Sequence, residues 1–306
     1  MEIKKTDILL ETGTNELEVL EFIIAGDSFG INVAKVRELM QYKPVQRMPK
    51  SHPCIEGIFQ PRDLVLTIID LAAYLGLPAS EDPDRDIFII AGFNNMNLAF
   101  HVHSVESIHR ISWEKIEKPD STIYGGSDGV VTGIAKVDGR MISIIDFEKI
   151  VHEISPETGI QMSEIEAMGE RANVSKPIII AEDSKFLKAA LLEALHAAGY
   201  SNIIACDNGK EAWDALGEIK AECESQEDVP AKVSCVITDI EMPQMDGLRL
   251  TKLIKDDKLF KIVPVIIFSS LIDAEMSHKC KEVGADAQLT KPEIGNLVHV
   301  LDEHIL

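Results

Sequence analysis

The sequence predicts a protein of two domains, an all-β domain followed by an α/β domain with a doubly wound, five-stranded parallel sheet. In the first half, short apolar runs of period two end in turn residues, a pattern typical of a sandwich or a barrel. After residue 177, five apolar runs alternate with amphipathic stretches of helical period, which indicates strands joined by helices. A polar stretch separates the two patterns.

The period-two runs define the strands of the first domain. Clear examples are residues 20–25, 64–69, 87–91 and 130–137. Asp138-Gly139 follows the last of these runs and predicts a two-residue hairpin turn, because both residue types accept a positive φ. Helical spacing of apolar residues predicts short helices at 34–40 and 70–75.

The strands of the second domain are the apolar runs 178–181, 202–205, 233–238, 265–268 and 287–290. Ahead of them, residues 153–175 are polar and acidic, contain Pro156 and Gly159, and carry only a weak helical tract at 163–171. This composition buries little, so we predict a linker at 153–175 between domains at 15–152 and 176–306.

Composition and charge exclude several classes of function. The chain has 306 residues with 30 basic and 51 acidic side chains, and its net charge of −21 disfavours nucleic acid and anionic membranes as partners. The five cysteines form no CxxC pair, which indicates reduced thiols and no zinc site. No signal-peptide core or apolar run of membrane-spanning length is present, so we expect a soluble, cytoplasmic protein.

Polar residues follow four strands of the second domain. They are Glu182 and Asp183 after the first strand, Asp239 after the third, Ser269 after the fourth and Lys291 after the fifth. Because the carboxyl ends of parallel strands share one edge, we expect these side chains to lie together. Carboxylates are the ligands that Mg²⁺ prefers, a lysine and a hydroxyl can contact phosphoryl oxygens, and a carboxylate can accept a phosphoryl group. The set therefore predicts phosphoryl chemistry.

The same residues carry a family resemblance. The second domain resembles response-regulator receiver domains in four motifs: AEDS (181–184), ITDIEMPQMDG (237–247), IFSS (267–270) and LTKP (289–292). The intervals between these motifs match the family, except that extra residues precede the third strand. We interpret the extra residues as a surface insertion at 218–232. The resemblance implies that Asp239 is the phosphoacceptor and that Ser269 and Lys291 sense the phosphoryl group. It further implies a Mg²⁺ site formed by Glu182, Asp183, Asp239 and the backbone of Glu241.

One position departs from the receiver pattern. The family commonly has Tyr or Phe three residues before the lysine, where the ring acts as a switch, and this chain has Gln288. We therefore expect phosphorylation at Asp239, with a route from that site to its output that does not use an aromatic ring.

The first domain resembles the CheW-type coupling domains of bacterial chemotaxis in segments 17–39, 54–76 and 129–151. That family implies a pair of small five-stranded barrels that bind a chemoreceptor and the histidine kinase CheA, with Val36 and Arg62 as candidate contacts. Simple coupling proteins have Asn-Leu-Arg-Gly where this chain has FQPRD at 59–63. The sequence at 59–63, together with the fused receiver, resembles the chemotaxis coupling proteins that carry a receiver domain.

The combined resemblances predict a non-enzymatic adaptor at membrane chemoreceptor arrays, regulated by phosphorylation of Asp239. Three alternatives stay open: a phosphate sink for CheA that leaves coupling unaltered, a transcription regulator, and an aspartyl phosphatase. The acidic charge and the missing DNA-binding helix disfavour the second, and Glu241 in place of a second Asp disfavours the third. We expect His101, His103 and His109 to be exposed or core residues, since no cysteine or carboxylate has metal-ligand spacing to them.

Overall fold

The computed structural model describes residues 16–61, 64–93, 96–117, 129–156, 160–168, 174–270, 272, 274–291 and 293–305. The chain divides into two compact units, of which the first covers residues 16–156 and the second begins at residue 157. Within the described residues, no helix is both long enough and apolar enough to cross a bilayer.

Among its described residues the first unit contains two β-sheets, which confirms the all-β prediction. One sheet has the strand order β8-β1-β2-β11-β10-β9 and the other the order β3-β6-β7-β5-β4. The first sheet has one strand more than the family resemblance implies, but β9 is only two residues long. The strands are β1 (Glu16–Ile24), β2 (Asp27–Asn32), β3 (Val36–Gln41), β4 (Ile55–Phe59), β5 (Leu66–Asp70), β6 (Ile87–Phe93), β7 (Met96–Val102), β8 (Ser104–Ser112), β9 (Ile116–Glu117), β10 (Val131–Val137) and β11 (Arg140–Ile145).

Two short helices complete the core of this unit. They are α1 (Leu71–Leu75) and α2 (Phe147–Ile154), and each begins after an aspartate whose carboxylate accepts from a backbone N–H of the first turn. Phe147 of α2 packs edge-on against Phe100, with ring centroids 4.5 Å apart. The hairpin is confirmed, since Asp138 and Gly139 have φ of 49° and 79° between β10 and β11.

The predicted helix at 34–40 is wrong. Only a single 3-10 turn, Val33–Lys35, forms there, and the chain then continues as β3, where Leu39 pairs with Ile89 of β6. The apolar positions fit a helical period over this short span, but pairing with a distant strand satisfies the backbone better than one isolated helical turn does. Local spacing carries no information about that partner strand.

His101 lies between two carboxylates in the second sheet of this unit. Its Nδ1 lies 2.8 Å from Oε2 of Glu56, and its Nε2 lies 2.9 Å from Oδ2 of Asp86. Tyr42 donates to Glu56, and Ser80 donates to Asp86. Burial lowers the pKa of His101, but hydrogen bonds and charge from the two carboxylates outweigh burial and raise it. The sequence did not indicate this cluster, because its carboxylates come from distant segments.

We expect His101 to make the first unit less stable as the pH rises. A raised folded-state pKa contributes stability that is complete below the ordinary value of 6.5 and is lost as the pH rises through the raised value. Thermal unfolding of the full chain from pH 6 to pH 9 should show this loss for the first unit, and His101→Gln should flatten the profile. His299→Gln, at an exposed position of the second unit, is the control, and an unchanged profile in His101→Gln would contradict the assignment.

The second unit is a five-stranded parallel sheet covered on both faces, as predicted, with the order β13-β12-β14-β15-β16. One face packs against α4 and α9 and the other against α5 and α7. The predicted insertion forms the end of α5, a turn and α6. The elements are α3 (Met162–Glu166), β12 (Ile178–Ala181), α4 (Lys185–Ala197), β13 (Ile203–Cys206), α5 (Gly209–Glu222), α6 (Val229–Lys232), β14 (Cys235–Thr238), α7 (Gly247–Asp256), β15 (Val265–Ser269), α8 (Ala274–Glu282), β16 (Ala287–Thr290) and α9 (Ile294–Ile305).

Candidate functional site

The parallel register brings the ends of four strands to one edge of the sheet. Ala181 of β12 lies beside Thr238 of β14, so the residues that follow these strands become neighbours. The backbone N–H of Asp239 donates to the carbonyl of Ala181 at 3.0 Å. On the other side, the N–H of Lys291 donates to the carbonyl of Ser269 at 3.2 Å. The backbone therefore places the predicted residues together.

Lys291 connects two of the acids. Its Nζ lies 2.7 Å from Oε2 of Glu182 and 2.9 Å from Oδ2 of Asp239. All three residues are buried, with exposed fractions of 2%, 2% and 6% for the lysine, the glutamate and the aspartate. An isolated buried carboxylate is strongly unfavourable, so one ammonium compensating two carboxylates accounts for the presence of this pair in the interior.

Three carboxylates of the site form a cluster that is open to solvent on one side. Ligand oxygens of Glu182, Asp183 and Asp239 all lie within 4.8 Å of one another, and Asp183 is exposed. Three carboxylates and the Lys291 ammonium leave a net charge of −2. An all-oxygen donor set of this charge fits a hard divalent cation.

The loop after β14 holds the Asp239 carboxylate in place. The Oδ1 atom of Asp239 accepts from the backbone N–H of Ile240 at 2.6 Å, and the backbone carbonyl of Asp239 accepts from the hydroxyl of Thr238 at 2.8 Å. The loop then closes through the N–H of Gly247, which donates to the carbonyl of Ile240 at 2.9 Å. Asp246 begins α7 by accepting from a backbone N–H, and burial raises the pKa of its carboxyl.

Gly247 ends the motif at 237–247, but the sequence interpretation gave it no role in the site. A Cβ at this position would lie 1.8 Å from the carbonyl oxygen of Asp239 and 2.9 Å from the hydroxyl oxygen of Thr238. Only glycine therefore allows α7 to begin directly against the strand end that carries Asp239. The available signal was a glycine directly after the Asp246 cap, at a helix start.

The remaining predicted receiver residues lie near this edge. Ser269 is fully buried at the end of β15, and Glu241 lies in the loop between β14 and α7. The proposed contact of the Glu241 backbone with a metal stays a prediction. Gln288 lies on β16 opposite Ile267, and its side-chain amide donates to the hydroxyl of Ser277 on α8.

The structure describes only one of the two candidate partner contacts of the first unit. Val36 begins β3, pairs with Ala91 and is half-buried against the apolar core, so only part of its side chain can meet a partner. Arg62 lies outside the described residues. Both contacts stay predictions.

Two family models match separate parts of the chain. The CheW-like domain family matches residues 18–155, and the response regulator receiver domain family matches residues 178–302. Chemotaxis protein CheV3 of Helicobacter pylori is 30% identical over 292 residues, which cover 90% of this chain and 91% of that protein. The chain belongs to the CheV family of chemotaxis proteins.

Other chemotaxis proteins are similar to nearly the whole chain or to about half of it. CheV2 of Helicobacter pylori is 27% identical across 92% of each chain, whereas CheW of Thermotoga maritima is 26% identical and matches 49% of this chain and 98% of its own length. A solved structure, the scaffolding protein TtCheW of Thermoanaerobacter tengcongensis, is 25% identical with a TM-score of 0.40 and covers 43% of this chain and 89% of its own. CheV membership makes the chain an adaptor-type chemotaxis protein with a receiver domain.

Proposed function

We propose that this CheV-family protein couples chemoreceptors to the histidine kinase CheA and that phosphorylation of Asp239 regulates the coupling. The observation that carries the proposal is the Lys291 bridge between Glu182 and Asp239, in a chain whose other half is a CheW-like domain. The Lys291 site lies in the receiver, outside the CheW-like match at 18–155. The fused receiver therefore supplies an input to the adaptor.

Phosphoryl transfer in this proposal follows from the position of Asp239. A carboxylate oxygen of Asp239 attacks the phosphorus of the kinase's phosphohistidine, forming a P–O bond while the P–N bond breaks with its electron pair staying on the imidazole nitrogen. The ammonium of Lys291 then compensates the phosphoryl oxygens, and the hydroxyl of Ser269 donates a hydrogen bond to one of them.

Mg²⁺ would be held by the side chains of Glu182, Asp183 and Asp239 and the backbone of Glu241. When bound, the ion offsets the negative charge of the phosphoryl group. Lys291 contacts two of the same carboxylates, so ion binding changes its surroundings as well. We further propose that the protein performs no catalytic turnover of a separate substrate and works in the cytoplasm at receptor arrays.

The test is kinase activity in reconstituted arrays of chemoreceptors, CheA and this protein, comparing wild type with Asp239→Ala. Regulation predicts that kinase activity changes when wild type becomes phosphorylated and stays constant with the variant. If phosphate accumulates on Asp239 while kinase activity per receptor is unaltered, the protein is a phosphate sink. That result would overturn the regulatory proposal.

A further inference from the structure

We propose that residues 160–168 are a detachable part of the receiver, which phosphorylation of Asp239 releases from α9. This inference rests on the proposed function. It concerns part of the predicted linker at 153–175, which would bind the receiver domain or detach from it according to phosphorylation.

The segment packs on the receiver through apolar side chains. Ile165 of α3 is 3% exposed and belongs to the core that also contains Leu191 of α4 and Leu297 of α9. Ile160, Met162 and Met168 pack around the same cluster. Burial of one isoleucine and part of three further side chains is a contact of modest strength, which suits an element that must both bind and detach.

One polar contact fixes the segment to the start of α9. Oε2 of Glu164 accepts from the backbone N–H of Gly295 at 2.8 Å, which satisfies one of the N–H groups that a first helical turn leaves without an intrahelical partner. A negative side chain is also favoured at the positive end of a helix. The contact therefore depends on the position and direction of the first turn of α9.

Gly295 provides the space for this contact. A Cβ added there would lie 2.8 Å from Oε2 of Glu164 and 3.5 Å from its Cβ, and 3.6 Å from the terminal methyl of Met168. The glycine lies within a helix that gains no conformational advantage from it, since glycine inside helices is destabilising. Its position is explained by the docked segment.

The first turn of α9 is linked to the phosphorylation site by a short piece of chain. Lys291, whose ammonium contacts Asp239, lies four residues before Gly295, and the N–H of Glu293 donates to the carbonyl of Thr290. The far end of α9 is fixed, because Asp302 accepts from the buried hydroxyl of Tyr200 at 2.6 Å. In this inference, movement of Lys291 toward phosphoryl oxygens acts on the end of α9 that holds Glu164.

Release of the segment changes the reach of the tether. An extended chain spans at most about 3.5 Å per residue, so the docked segment leaves about 14 Å between residues 156 and 160. With the segment free, the tether runs from residue 156 to residue 174 and can span about 60 Å.

Hydrogen–deuterium exchange of the full chain tests this inference, with Mg²⁺ and beryllofluoride as the phosphoryl analogue. We expect exchange of residues 160–168 to rise about fivefold on addition of the analogue, the size of effect that loss of one capping contact produces. Asp239→Asn should show no rise. Gly295→Ala should show rapid exchange without the analogue, and Glu164→Ala, which removes the contact without adding an atom, should show the same.

Gly217→Ala is the matched control, because an added Cβ there on α5 meets no atom within 4 Å. Phosphorylation of Asp239 is measured in parallel, as label transferred from phosphorylated CheA. If label is incorporated and residues 160–168 keep the same protection, the inference is wrong and the proposed function stands. If no label is incorporated, both are wrong.

Discussion

Gly247→Ala is expected to destabilise the receiver domain by about 3 kcal/mol and to prevent Asp239 from accepting a phosphoryl group. The added Cβ would lie 1.8 Å from the carbonyl oxygen of Asp239, and a backbone atom cannot move away as the end of a flexible side chain can. Either α7 must shift or the Asp239 peptide must rotate. Both changes disturb the hydrogen bonds that hold the carboxylate.

Urea unfolding measures this effect in the receiver alone if Trp113 is replaced by phenylalanine. The chain has two tryptophans, and Trp213 on α5 then reports only on the second unit. Gly217→Ala in the same background is the control, and it should raise stability by up to about 1 kcal/mol because the helix gains an alanine in open space. Equal unfolding midpoints for the two variants would contradict the close packing at Gly247.

Lys291→Met should have the second large effect. Methionine keeps most of the apolar stem but leaves the buried Glu182 and Asp239 without a cation, which costs about 3–5 kcal/mol in measured buried pairs. We expect Mg²⁺ to restore much of this stability, because the ion would compensate the same carboxylates.

Urea unfolding with and without Mg²⁺ distinguishes this account from a simple loss of packing. The control is Lys210→Met, which removes an exposed pair with Asp214 and should cost less than about 0.5 kcal/mol. Adding Asp239→Asn to Lys291→Met should recover stability, because only the Glu182 carboxylate of the two that contact Lys291 then remains charged and uncompensated. If the double variant is less stable than Lys291→Met, the uncompensated charge is not the cause.

The sequence predicted the parts of this protein that depend on local signals. The strands of the second unit were predicted from short runs of mainly apolar residues, and the candidate site residues follow these runs. Asp239 and Lys291 could therefore be placed on one edge of the sheet before any contact was known. The turn at Asp138-Gly139 was predictable for the same reason, since the conformation belongs to those two residues.

Features that depend on distant partners could not be predicted. Residues 36–40 form part of β3 rather than a helix because β6, some fifty positions away, provides the pairing. The segment 160–168 has a linker's composition, yet Ile165 is buried because α4 and α9 provide an apolar surface. His101 gains its carboxylate partners in the same way. In each case the deciding contact crosses a long stretch of sequence.

Transfer of label from phosphorylated CheA, in the presence of Mg²⁺, tests the central claim most directly. The account predicts that wild type acquires the label, that peptide mapping places it on Asp239, and that Asp239→Asn acquires none. Absence of label on wild type, or equal labelling of wild type and Asp239→Asn, would contradict the assignment of Asp239 as the phosphoacceptor.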